Sequence, residues 1–259
     1  MIILQTEGPI VATAIHAGHN LRSEILELIN LDEKARRREE DPYTDAWTFF
    51  GDVKIIVETS RFECDVNRPR KKAVYLKPED AWGLDVWKKE LPKDMLERSL
   101  QKYDLFYKNV HKTFSDLQKG EGKFAVFDLH SYNHIRPSPD SPPANSELNP
   151  EVIVGTSNMD RKRWAPIVDR LISELRNFDF LGRSLDVREN VKWSGGNFSR
   201  WIHNTFPENG CSFAIEFKKF FMNEWSGELF EKEHDAIGRA LASAAKAIKE
   251  ELEKLSHPI

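Results

Sequence analysis

Three apolar runs in the sequence each end at a side chain that could bind a metal ion or transfer a proton. Those side chains are His16 after residues 10–15, His130 shortly after residues 124–127, and Glu216 after residues 212–215. Short continuous apolar runs are typical of strands that are buried on both faces of a parallel sheet. Ligands of open α/β sheets bind at the carboxyl ends of the strands, so two imidazoles and a carboxylate at this edge are typical components of a metal-activated hydrolase.

Each of these candidates also has a purely structural interpretation. A single histidine is more often a hydrogen-bonded structural residue than a ligand, and both interpretations stay open for His19 and His134. The position of His16 and His130 directly after apolar strands favours the ligand interpretation for those two. An unpaired carboxylate inside an apolar strand is costly, so Glu216 is expected either to form a buried salt bridge or to act as a general base.

A cluster of basic and amide side chains lies at residues 61–68. Arg61, Asn67 and Arg68 occur on one short segment together with Glu63 and Asp65. Surface ion pairs within the segment are one interpretation. The other is a substrate carboxylate, which a guanidinium binds through two parallel hydrogen bonds and an ammonium does not.

The rest of the chain alternates between helix-like and strand-like patterns. Apolar side chains recur at spacings of three and four over residues 100–117, which predicts an amphipathic helix. Residues 53–58 predict a strand, and the alternation of Phe62, Cys64 and Val66 predicts another. We therefore expect an α/β fold of three layers, α/β/α, with a mostly parallel mixed sheet, as a single domain of residues 1–259.

Two stretches without regular periodicity lie near the predicted site. Residues 137–150 are too rich in proline for a helix or a strand, and their place after His130 favours a lid over a linker. Gly195 and Gly196 predict a turn where the backbone approaches a ligand or another strand closely.

Composition restricts the classes of partner. The 259 residues include 38 basic and 42 acidic side chains, a formal charge of -4, which disfavours a nucleic-acid partner. Cys64 and Cys211 are too few and too far apart for a disulfide framework, so we expect buried thiols and a cytoplasmic location. The first residues do not resemble a signal peptide, and no apolar run has the length of about 18 residues that predicts a membrane span.

Several segments, in order, resemble the N-formylglutamate amidohydrolase family over about residues 8–225. They are IHAG (15–18), DPYTD (41–45), SRFECDVNR (60–68), DLHS (128–131), GT (155–156), GGNFSR (195–200) and IE (215–216). Some of these pieces also resemble the zinc carboxypeptidase and aspartoacylase relatives of that family. The chain departs from the usual family pattern at Ile15 and Ala17, where a proline and a hydroxyl residue are common.

The resemblance implies a phosphorylase/hydrolase-like fold and a hydrolase that uses one Zn²⁺ ion. It implies that His16, His130 and a carboxylate hold the ion. Asp41 is the expected carboxylate, and Glu40 and Glu24 are the alternatives. Asp128, two residues before His130, is expected to orient that imidazole.

The chemistry of catalytic zinc sites suggests a role for each of the remaining candidate residues. Glu216 would act as the general base and Arg61 would face the oxyanion. The expected substrate-binding residues are Asn67, Arg68, Gly195, Gly196 and Arg200. Cleavage of the formamide or amide bond of an N-formyl or N-acyl acidic amino acid, such as N-formyl-L-glutamate, is the expected reaction.

Two other functions stay open at this point. A zinc carboxypeptidase-like enzyme acting on short peptides would use the same residues. A non-catalytic carboxylate-binding protein would keep the arginines, although the two histidines and Glu216 argue against it. The sequence makes no prediction about the oligomeric state.

Overall fold

The computed structural model describes residues 1–256, so residues 257–259 of the predicted single domain lie outside the described residues. Its strands are β1 (Ile2–Gln5), β2 (Ile10–Ala14), β3 (Val53–Ile56), β4 (Phe124–Tyr132), β5 (Val152–Gly155), β6 (Val187–Glu189) and β7 (Gly210–Lys218). Its α-helices are α1 (Ser23–Leu28), α2 (Glu33–Glu39), α3 (Lys93–Glu121), α4 (Ala165–Asn177), α5 (Asn197–Thr205) and α6 (Glu231–Ser256). Short 3₁₀ helices span Ala46–Phe50, Arg70–Lys72 and Pro78–Ala81.

The strands form one mixed sheet in the order β1-β3-β2-β4-β7-β5-β6. The central strands β3, β2, β4 and β7 run parallel to one another. Strand β1 is antiparallel to β3, β5 is antiparallel to β7, and β6 is parallel to β5. This topology confirms the predicted α/β fold with a mostly parallel mixed sheet.

The two faces of the sheet carry different helices, because side chains alternate along each strand. On one face, Ala125, Phe127 and Leu129 of β4 belong to the same apolar cluster as buried residues of α4 and α6. On the other face, Phe124 and Val126 belong to a cluster with buried residues of α3 and α5. The later even-numbered residues of β4 therefore direct their side chains to the face that α3 and α5 cover.

The predicted long amphipathic helix is confirmed as α3, which buries Tyr103, Val110 and Phe114 against this second face. Its backbone ends at Gly122, where φ is +73° and a residue without a side chain is favoured.

The prediction of a strand over residues 61–67 is wrong, because this segment folds as consecutive turns. The N–H groups of Glu63 and Cys64 both donate to the carbonyl of Ser60, at 3.0 and 3.3 Å. The alternation misled because both sets of side chains are buried. Glu63 and Asp65 are buried together with Phe62 and Cys64, so no face of residues 62–66 is left to solvent.

Residues 137–150 contain no helix and no strand, as their proline content predicts. Among the described residues, no helix combines the length and the hydropathy needed to cross a membrane.

Candidate active site

Three buried side chains converge at the carboxyl edge of the central strands. His16 is the second residue after β2, His130 lies on β4, and Asp41 is the second residue after α2. One ligand atom from each lies within 4.8 Å of the others. Asp41 Oδ2 is 2.9 Å from Nδ1 of His130 and 3.5 Å from Nδ1 of His16. The parallel pairing of β2 with β4 brings the two histidines together, and a hydrogen bond of 3.0 Å from the Asp41 N–H to the His16 carbonyl anchors the third residue.

Each histidine has a second carboxylate behind it. His16 Nε2 is 2.7 Å from Asp65 Oδ1, and His130 Nε2 is 3.1 Å from Asp128 Oδ2. Because these carboxylates face the Nε2 atoms, both imidazoles turn Nδ1 toward Asp41. Carboxylates in this position orient metal-bound histidines in many metalloproteins.

This arrangement fits a divalent ion such as zinc. Two imidazole nitrogens and one carboxylate are a common donor set of catalytic zinc sites, and zinc–ligand bonds of about 2.0–2.1 Å place tetrahedral donor atoms about 3.3 Å apart. The observed separations of 2.9 and 3.5 Å from Asp41 Oδ2 bracket that value. Although burial alone would raise the pKa of Asp41, its hydrogen bonds with His130 and His16 hold that pKa well below its usual range. The carboxylate is therefore ionised and available as a ligand.

The two alternative carboxylates lie elsewhere. Glu40 is buried and accepts a short hydrogen bond from the Ser60 hydroxyl, while its other oxygen lies 3.1 Å from Nδ1 of His19. Glu24 pairs at the protein surface with Arg22 at 3.2 Å. Neither glutamate belongs to the cluster that Asp41 completes.

The two further candidate histidines are also bound to other groups. His19 contacts Glu40, and His134 Nδ1 lies 3.2 Å from Glu224, which also accepts the His134 N–H at 2.7 Å. Both histidines therefore fit the structural interpretation.

Glu216 lies beside the cluster on the neighbouring strand. It is in direct register with His130 across the β4–β7 pair, and both side chains line the same cavity. Burial raises the pKa of Glu216 to about 7, and the nearby His130 opposes that rise. No salt bridge of Glu216 is found within residues 1–256, so the buried ion-pair interpretation has no partner there.

Arg61 lines the cavity but is anchored behind His16. Its Nη2 donates to Asp65 Oδ2 at 2.9 Å, and its Nε donates to the Tyr75 hydroxyl at 3.1 Å. Tyr75 also donates a short hydrogen bond to Asp65. The guanidinium therefore holds the carboxylate that orients His16, and its flat face packs 4.9 Å from the Trp82 ring.

The glycine pair is explained by close packing of Gly196 against Asn67 and by the positive φ of Gly195, whose Cβ would also meet Asn158. A Cβ atom on Gly196 would lie 2.2 Å from Asn67 Oδ1, and Gly195 has a φ of +112°. Asn67 Oδ1 accepts the Phe198 N–H at 2.9 Å and so caps the first turn of α5. Asn67, Gly195 and Gly196 all line the cavity, and the sequence had predicted a close backbone approach at the two glycines.

Two arginines in the cavity wall carry positive charges that the protein neutralises weakly or not at all. Arg68 lies 3.8 Å from Asp65, a carboxylate that is already bound more closely by Arg61. Arg200 is an exposed residue of α5 with no ion pair in the part of the chain that the structure describes. Glu63, the other possible partner of Arg68, binds Arg22 and Lys102 instead, so the surface ion-pair interpretation of this cluster does not hold for Glu63.

The cavity has a volume of about 670 Å³, which is within the usual range for small-molecule sites. Its wall includes Trp82, Lys192, Trp193 and Lys219, none of which the sequence singled out. Lys219 is fully buried and donates to the carbonyls of residues 38 and 40 at 2.6 and 2.8 Å, and burial lowers its pKa to about 8. A lysine directly after a strand has no sequence signal that separates this role from a surface position.

None of residues 137–150 lines the cavity. Arg136, directly before this segment, does so and pairs with Glu39 at 2.8 Å. The loop therefore does not contribute to the cavity wall, and its function as a lid stays a prediction.

Comparisons with known proteins place the chain in a family. The family model for N-formylglutamate amidohydrolase matches residues 8–222. The fold is similar to that of the N-formylglutamate amidohydrolase from Ralstonia eutropha JMP134, with 17% identity, a TM-score of 0.75 and 98% of each chain covered. It is also similar to gene product Atu2144 from Agrobacterium tumefaciens, with 17% identity, a TM-score of 0.66, and 96% of this chain and 93% of that chain covered. A search of curated proteins finds no significant match.

The structural similarities establish the fold, and the family match, which spans most of the sequence, establishes the relationship. The chain belongs to the N-formylglutamate amidohydrolase family, whose members hydrolyse amide bonds.

Proposed function

We propose that this protein is a zinc-dependent amidohydrolase that cleaves the formamide bond of an N-formyl acidic amino acid such as N-formyl-L-glutamate. The observation that carries this proposal is the convergence of His16, Asp41 and His130 beside Glu216, in one cavity. Family membership supports the amide as the reacting group.

His16, Asp41 and His130 would hold the ion, and Asp65 and Asp128 would keep the two imidazoles oriented toward it. A divalent ion at this position supplies Lewis-acid polarisation of the substrate carbonyl and lowers the pKa of water. With the ion bound, the two histidines would be neutral donors that face the ion with Nδ1, while each Nε2 atom faces a carboxylate.

Glu216 is the proposed general base and acid. It takes a proton from the attacking water as the oxygen adds to the formyl carbon, and it delivers that proton to the nitrogen as the C–N bond breaks. Formate and the free amino acid leave. A carboxyl group whose pKa is about 7 can perform both transfers near neutral pH.

Arg61 is proposed to stabilise the oxyanion that forms in this step. Its guanidinium lines the cavity and is held by Asp65 and Tyr75, so it would not need to reorganise during the reaction. The same contacts give Arg61 a second effect, because they fix the carboxylate that orients His16.

Asn67, Arg68 and Arg200 are the proposed carboxylate-binding groups. The protein neutralises the charges of the two guanidinium groups weakly or not at all, and Asn67 contributes an amide to the same cavity wall. Gly195 and Gly196 permit the substrate to approach the backbone, since they add no side chain to this wall. A peptidase would use the same residues, but no contact in the cavity favours a peptide over an N-formyl amino acid.

Metal content and turnover test this proposal together. The purified protein is analysed for metal and assayed for release of formate and L-glutamate from N-formyl-L-glutamate, before and after chelation and with zinc added back. Glu216→Gln is expected to lower kcat by about 10²- to 10⁴-fold. Glu253→Gln, at an exposed position of α6, is the matched control and should keep full activity.

Two results would contradict the proposal. Full activity of Glu216→Gln would exclude its role in proton transfer. A metal-loaded protein that releases no formate from N-formyl-L-glutamate would exclude the substrate.

A further inference from the structure

Lys192 enters the cavity from the segment between β6 and α5. Its Nζ donates to Asn149 Oδ1 at 2.7 Å and lies 4.9 Å from the centre of the Tyr132 ring. The Trp193 ring is 5.7 Å away. Two aromatic rings and one amide therefore hold this ammonium group at the cavity wall.

This ammonium group has no carboxylate partner within residues 1–256. The other cations beside it are neutralised or satisfied by the protein: Arg136 pairs with Glu39 at 2.8 Å, and Lys219 binds main-chain carbonyls. Burial lowers the pKa of Lys192, and the positive charge of Arg136 adds to that effect, while Glu216 opposes it. A positive charge without a counter-ion in a substrate cavity is a binding position for an anion.

The proline-rich segment 137–150 provides the support for this position. Asn149 Nδ2 donates to the Asn145 carbonyl at 2.9 Å, which leaves its Oδ1 directed at Lys192. The Tyr132 hydroxyl donates a short hydrogen bond to the Pro150 carbonyl, so the ring beside the ammonium is held by the same segment. The segment therefore contacts the groups that hold Lys192, although it does not line the cavity itself.

We propose that Lys192 is a specificity-determining residue that binds the side-chain carboxylate of the acidic substrate. This inference rests on the proposed function, and it assigns the second negative charge of the substrate to a different cation from Arg68 and Arg200. An ammonium group has three N–H donors, of which Asn149 uses one, so two remain for a carboxylate. A neutral side chain of the same length would leave this charge unpaired.

Paired ligands that differ only in that charge test the proposal. Dissociation constants for L-glutamate and L-glutamine are measured by calorimetry, which needs no turnover, and kcat/KM is measured for their N-formyl derivatives. Lys192→Met is expected to lower the preference for the glutamate ligand by about 10- to 100-fold in both measurements. Lys192→Arg should retain most of the preference, and Lys162→Met, at an exposed position away from the cavity, should not change it.

Asn149→Asp is a second variant, which keeps the size of the side chain but adds a charge and removes the N–H donor to the Asn145 carbonyl. It places a carboxylate next to the Lys192 ammonium group and is expected to reduce the preference for the glutamate ligand, as Lys192→Met does. An unchanged ratio of glutamate to glutamine in Lys192→Met, or an equal loss for both ligands, would overturn the assignment. If the wild type releases no formate but Lys192→Met still loses its preference for free glutamate, the proposed reaction is wrong and the carboxylate site stands.

Discussion

Replacing Asp128 by asparagine tests whether the outer carboxylates control metal binding. The Asp128 side chain is fully buried between two partners. Its Oδ1 accepts from the Thr13 hydroxyl at 2.8 Å, and its Oδ2 lies 3.1 Å from His130 Nε2. Asp128→Asn keeps the shape but removes the charge, and its single carbonyl oxygen can face only one of the two partners.

The magnitude follows from what His130 loses. If the amide oxygen stays with Thr13, an NH₂ group faces the Nε2–H of His130, and the tautomer that presents Nδ1 is no longer favoured. Loss of such a partner costs about 10- to 100-fold in metal affinity. That factor corresponds to about 1.4–2.7 kcal/mol of binding free energy. His16 keeps its own carboxylate at 2.7 Å, so metal binding is weakened and not abolished.

Zinc affinity is measured by competition with a chromophoric chelator at fixed pH, because the ligands bind in their deprotonated forms. Circular dichroism checks that Asp128→Asn is folded. Thr13→Val removes the hydroxyl but keeps the charge of Asp128, so its loss of affinity should be smaller. Asp104→Asn, which disrupts an exposed pair with Arg70, should bind zinc as the wild type does. A folded Asp128→Asn protein with wild-type zinc affinity would refute the orienting role.

Two further predictions concern His203 of α5 and the glycine turn directly before this helix. Burial lowers the pKa of His203 from 6.5 to about 4, so the unfolded chain binds the proton more readily and this residue makes stability rise with pH between those values. His203→Gln should reduce that slope by up to about 1.4 kcal/mol per pH unit in urea titrations, and the exposed His111→Gln should leave it unchanged. Gly196→Ala would place Cβ 2.2 Å from Asn67 Oδ1 and should cost about 1–3 kcal/mol of stability and raise KM, measured by urea unfolding and steady-state kinetics. Gly120→Ala, whose Cβ would meet no atom within 4 Å, should be neutral or stabilising, and equal behaviour of the two alanine variants would contradict the packing argument.

The parts of the fold that local periodicity determines were predictable. The apolar runs that became β2, β4 and β7 and the spacing of apolar residues in α3 are properties of single segments. The strand ends also indicated that His16, His130 and Glu216 would meet at one edge, because parallel strands share that edge. Segment 60–68 was mispredicted, since its alternating pattern does not reveal that Glu63 and Asp65 are buried as deeply as the apolar residues between them.

The sequence by itself determined the sheet, the edge at which ligands bind, and the types of side chain that gather there. Only the tertiary structure distinguished Asp41 from Glu40 and Glu24, and only it revealed that Asp65 faces His16 and that Lys192 faces the cavity. The physical reason is that the role of a carboxylate or an ammonium group depends on the groups that surround it in the folded protein. Those groups are tens of residues away along the chain, where no local pattern records them.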